Sequence, residues 1–61
     1  MSYGLYWVTD LGYAGTDNVK YATPEQAFAA ATAGVKFTKR GREYQSNRDQ
    51  YGDIYFVKPL R

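Results

Sequence analysis

Thr23-Pro24-Glu25-Gln26-Ala27-Phe28-Ala29-Ala30-Ala31-Thr32-Ala33-Gly34 carries the clearest local signal in the chain. Thr23 suits a helix N-cap, Pro24 the first helical position, and Gln26 the capping-box partner three residues on. Glu25 sets a negative charge at the positive end of the helix dipole. Gly34 is the expected C′ stop. A helix of about ten residues is marginal alone and must pack on something. Its expected buried stripe is Phe28 with Ala27, Ala31 and Ala30, small enough to let it lie close to a sheet.

Strands are expected on both sides. Before the helix, Tyr3 to Thr9 is rich in aromatic and β-branched residues. It would show Tyr3, Leu5 and Trp7 on one face and Gly4, Tyr6 and Val8 on the other. Asp10 to Asn18 has a turn composition, with Gly12, Gly15, Asp17 and Asn18. Val19 to Ala22 is a doubtful return strand. After the helix, Val35 to Lys39 alternates, with Val35 and Phe37 inward. Gly41 between Arg40 and Arg42 marks a tight turn, and Arg42 to Ser46 returns. Asn47 to Asp53 is turn-forming. Ile54 to Val57 is four consecutive β-formers, and Pro59 is expected to end that strand. The expectation is a single α+β domain over residues 1–61. It has a four- or five-stranded, largely antiparallel sheet, in the order β-β-α-β-β along the chain, with one short helix on one face. The expected core is Leu5, Trp7, Val8, Phe28, Ala31, Val35, Phe37, Ile54 and Phe56.

Composition narrows the function. At 61 residues the chain holds one domain, and such a chain buries only about 60 % of the surface it exposes when unfolded. It has no cysteine and no histidine, which removes disulfides, thiolate sites and the commonest zinc and copper ligand. No metal or other cofactor is expected. Eleven aromatic residues (seven Tyr, three Phe, one Trp) supply the area for a core or an interface, and homodimerisation is an open alternative. No stretch reads as a signal peptide or membrane span, so a cytoplasmic protein is expected.

Catalysis finds little support. Ser2 and Ser46 are the only serines, with no Cys or His to complete a nucleophile and base. Asp10, Asp17, Asp49 and Asp53 each adjoin turn residues, where Asp serves the backbone. Asn47 to Lys58 echoes a calcium loop, but Tyr51 and Lys58 occupy positions that need oxygen ligands. Gly12 and Gly15 lack the flanking pattern of a phosphate loop.

Two constellations remain. Charge is uneven: residues 1–33 carry Lys20 against Asp10, Asp17 and Glu25, net −2. Residues 34–61 carry Lys36, Lys39, Arg40, Arg42, Arg48, Lys58 and Arg61 against Glu43, Asp49 and Asp53, net +4. Interleaved aromatics make Lys36, Lys39, Arg40, Arg42, Tyr44, Arg48, Tyr51 and Tyr55 the candidate partner-binding residues. Lys and Arg can meet phosphates while rings stack bases. Alternatively, Lys and Arg at strand edges block aggregation. The second constellation is a surplus of tyrosine: Tyr6, Tyr44 and Tyr55, if they share the uncovered sheet face, form an aromatic surface of the kind enriched at protein interfaces. In size, lack of catalytic residues and capped helix between strands, the layout resembles small phage-encoded inhibitors of host enzymes, a likeness of layout alone. The expected function is stoichiometric, non-enzymatic binding to a protein, as inhibitor or adaptor. The alternatives are single-stranded DNA or RNA binding, or a structural subunit of an assembly.

Overall fold

The structure, a computed structural model, describes residues 1–60. Its elements run β1 (Ser2–Val8), β2 (Ala14–Tyr21), α1 (Pro24–Ala30), β3 (Phe37–Arg40), β4 (Glu43–Ser46) and β5 (Ile54–Leu60). The strands form one antiparallel sheet in the order β2-β1-β5-β4-β3. The chain order is thus β-β-α-β-β-β, one strand more than the expected order.

The helix begins as its sequence dictates. Thr23 is the N-cap, its Oγ1 accepts from the Gln26 N–H at 3.3 Å, and the Gln26 Oε1 accepts from the Ala22 N–H at 3.0 Å. Its end differs from expectation. The helix stops at Ala30, Ala31 is extended, and Gly34 takes its positive φ of 91° in the following turn rather than at C′. A tertiary contact lies just past the break: the Thr32 and Tyr55 hydroxyls share a hydrogen bond of 2.6 Å.

β2 is the main departure. The turn between β1 and β2 is short and closes with Thr9 N–H to Tyr13 C=O at 2.8 Å. The turn-forming residues beyond it lie inside a strand, where they build a bulge. Asp17, Asn18 and Val19 face the single residue Leu5, Asn18 has φ 60°, and Thr16 Oγ1 donates to the Leu5 carbonyl at 2.8 Å. Asn and Asp tolerate the left-handed backbone that a bulge needs. Gly15 sits under Trp7: a Cβ there would lie 2.6 Å from the indole Nε1. At the other edge of expectation, Pro59 is inside β5 and not after it. β4 pairs with β5 only at Tyr44↔Val57 and Gln45↔Phe56, so β5 is a local edge over Lys58–Leu60, where proline is tolerated.

Register fixes the faces. Tyr3, Leu5 and Trp7 pair with Pro59, Val57 and Tyr55 on the side that carries the helix. Leu5, Val57 and Ala27 are fully buried, with Tyr3, Tyr21, Phe28, Ala31, Phe37, Tyr44 and Tyr55 packed around them. Phe28 stacks on Phe37 at 4.3 Å and meets Tyr44 edge-on at 5.1 Å. Five expected core residues are corrected: Trp7 shares the helix side but lies outside the core cluster, and Val35 precedes β3 and lies outside it too. Val8, Ile54 and Phe56 face the other way, paired as Val8↔Ile54 and Tyr6↔Phe56. Four β-formers in a row give no alternation from which to read the inward phase, and it is Val57 opposite Leu5 that sets it.

Candidate interaction surface

The strand directions sort the charges. β1 and β4 both run antiparallel to β5, so the loops that follow them, around residues 9–13 and 47–53, share one end of the sheet. The two loops touch: a Cβ on Gly52 would lie 3.1 Å from the Asp10 Cβ. This loop end carries Asp10, Asp49 and Asp53, and also the exposed Leu11, Tyr13 and Tyr51, the two rings 70 % and 69 % exposed. The opposite end holds the β3–β4 turn, where Lys39, Arg40 and Arg42 flank Gly41 at φ 64°. Lys20 and Lys58, both opposite Gly4, lie toward the same end.

The loop end is bonded to itself. Asp49 Oδ1 accepts the N–H groups of Tyr51 at 2.9 Å and Asp53 at 2.8 Å. Arg48 donates to the Gly52 carbonyl at 2.7 Å. Burial would raise the Asp49 pKa, but those two backbone donors and the hydroxyls of Thr32 and Tyr55 outweigh it and hold the carboxyl below its ordinary value. Asp49 therefore serves the turn, as its sequence setting suggests. Next to it, buried Ser46 joins β4 to β5, accepting from the Tyr55 N–H and donating to the Asn47 carbonyl, both at 2.8 Å.

The eight candidate residues do not form one site. Tyr44 and Tyr55 lie on the helix side, against Phe28 and Thr32, with Trp7 edge-on to Tyr55 at 6.3 Å. Tyr6 alone of the expected tyrosine face is on the uncovered side. That correction follows from the β5 phase: once Val57 points inward, Tyr55 two residues before it and Tyr44 opposite it on β4 must follow. On the uncovered side the Lys58 ammonium lies over Tyr6 at 5.5 Å and Phe56 at 5.8 Å. Lys36 and Arg40 line a wide hollow there with Thr38 and Gln45. Arg48 and Tyr51 belong to the loop end.

Lys39, Arg42 and Tyr44 do converge. With Tyr3, Gly41, Pro59 and Met1 they line a groove of about 190 Å³ on the helix side of the hairpin end. Tyr3, Met1 and Pro59 are the residues that sequence reasoning missed. They reach the groove only through the Tyr3↔Pro59 pairing and the sheet order, which no local pattern signals. The arrangement offers an apolar floor between two phenol rings and a rim with two cations. No protein-family model, curated protein or solved structure matches the chain.

Proposed function

We propose that this protein acts by stoichiometric, non-enzymatic contact with a protein partner, as an inhibitor or adaptor, through its basic hairpin end. One observation carries the reading: the clustered hairpin cations Lys39, Arg40 and Arg42 and the openly exposed rings Tyr13 and Tyr51 are at opposite ends of the sheet, while Arg48 and Lys36 at the ring end lie among its loop's own bonds. Binding single-stranded nucleic acid takes rings that bases can stack on, set among cations that follow the phosphates. Here Tyr13 and Tyr51 stand beside Asp10, Asp49 and Asp53, which repel phosphate. The rings at the basic end, Tyr3 and Tyr44, are half-buried in packing, and Lys58 occupies the faces of Tyr6 and Phe56. A protein surface needs no such interleaving. It gains orientation and association rate from complementary charge and affinity from a few desolvated anchors.

The test is affinity capture by the full chain from a lysate of the cells in which it is naturally made, with and without nuclease. One protein recovered in near-equal amount, unchanged by nuclease, supports the reading. Nucleic acid recovered instead, and lost in high salt, replaces it with the alternative, since phosphate contacts weaken steeply with salt.

A further inference from the structure

We infer that the groove between Tyr3 and Tyr44 receives an acidic segment of a protein partner: one apolar side chain seated between the rings, flanked by carboxylates that meet Lys39 and Arg42. The inference rests on the protein-binding reading and names the chemistry of the partner.

Size comes first. Pockets that hold metabolites or cofactors run from about 300 to 1,000 Å³, and about 190 Å³ falls below that range. The groove has room for a side chain, which is the usual scale of an anchor at a protein interface. Its walls come next. Tyr3, Tyr44, Pro59 and Met1 offer apolar area, and Tyr is among the residues that dominate interface energetics. Tyr3 and Tyr44 are braced from behind. Tyr44 meets Phe28 edge-on at 5.1 Å, and both tyrosines pack around Leu5, Ala27 and Val57. Rings held in this way lose little freedom on binding.

Charge settles the partner. Among the described residues, the lining includes Lys39 and Arg42 and no carboxylate. Glu43, the nearest acid in sequence, pairs with Arg40 across the hairpin, and Lys39 pairs with Tyr44. The β-strand alternation therefore sends Glu43 to the other face and leaves the groove's cations uncompensated. A bound carboxylate supplies that compensation through charge-assisted hydrogen bonds. Lys39 and Arg42 are both exposed, so holding the partner's carboxylates does not require burying an unpaired cation first.

The experiment is an NMR titration of the labelled full chain with a blocked peptide of sequence Glu-Glu-Phe-Glu-Glu. The same peptide with Lys for Glu, and a short oligothymidylate, are run beside it. The expected result is amide shifts centred on Tyr3, Lys39, Arg42 and Tyr44 with the acidic peptide and not with the basic one. Lys39→Glu with Arg42→Glu should weaken binding about tenfold or more, as expected for losing charge-assisted contacts. Both side chains are exposed, and an unchanged spectrum of the free variant verifies its fold. Shifts confined to the Lys36–Arg40 hollow, equal binding of both peptides, or stronger binding of the oligothymidylate at these residues would each overturn the inference. Lysate capture with the same variant separates the two readings. A partner captured equally by wild type and variant sinks the groove and leaves the protein-binding reading standing. Failure of the wild type to capture any protein sinks the protein-binding reading and the inference with it.

Discussion

The phenol of Tyr21 donates to the carboxylate of Asp17, its neighbour across the bulge. That bond, with some burial and the nearby negative charge, raises the Tyr21 pKa above its ordinary value of 10.0. The folded state therefore holds the proton more tightly than the unfolded state does. The resulting stabilisation is fully present below the unfolded value and is lost as pH rises through the folded one. In an NMR titration of the tyrosine ring carbons, Tyr21 should ionise above its ordinary value, and Asp17→Asn should lower its midpoint. An unshifted Tyr21 in the wild type would mean the bond does not persist in solution. The same carboxylate accepts the Val19 N–H at 3.1 Å. Asp17 thus has both jobs because it sits in a bulge, and its sequence neighbours disguise that. Gly15, Asp17 and Asn18 are the residues of an ordinary turn, and only pairing against β1 shows them serving inside a strand.

At the scale of elements, the start of the helix is dictated locally. Thr23 to Gln26 contains the whole chemistry of a helix start, so the start is where the sequence puts it. Replacing Thr23 with Ala should cost about 0.5–2 kcal/mol, the usual loss for a missing N-cap. Urea unfolding followed by circular dichroism measures it, and an unchanged midpoint would show that the cap contributes nothing here. The helix end was not legible, because Thr32 is engaged by Tyr55, a residue far along the chain. The β1 faces were legible from alternation with Leu5 and Trp7 on one side. The β5 faces were not, since Ile54-Tyr55-Phe56-Val57 is apolar at every step. A slip of one residue exchanges the two faces, and that single ambiguity displaced Ile54 and Phe56 from the core and put Tyr55, with Tyr44 opposite Val57, on the helix side. Val8 is outside the core because β1 is apolar on both faces and only one of them is covered. The hairpin tip is legible through Gly41, yet Tyr3 and Pro59 of the groove beside it come from β1 and β5.

Over the whole molecule, three residues do most of the enclosing: Leu5, Ala27 and Val57. With 61 residues, net stability is expected at roughly 3–9 kcal/mol from the usual per-residue range. Truncating Leu5 to Ala should remove about 2–5 kcal/mol, a large share of that total. Thermal unfolding should move down by many degrees or lose cooperativity. Retention of the wild-type midpoint would mean that the sheet is held by something other than this core. The central pair of the sheet is β1 with β5, joined from Ser2↔Leu60 to Val8↔Ile54. These strands are the most distant elements in sequence, and everything between them must be in hand before Leu5 can meet Val57. Folding is therefore gated by closure of one very long loop, whose entropy must be spent before the central contacts can reward it. During synthesis the N-terminal strands would wait, unpaired at the centre, until Ile54–Leu60 had left the ribosome. Until Ile54–Leu60 has been made, β1 has only β2 to pair with, and the open edge of this aromatic strand is exposed to chaperones and to other nascent chains.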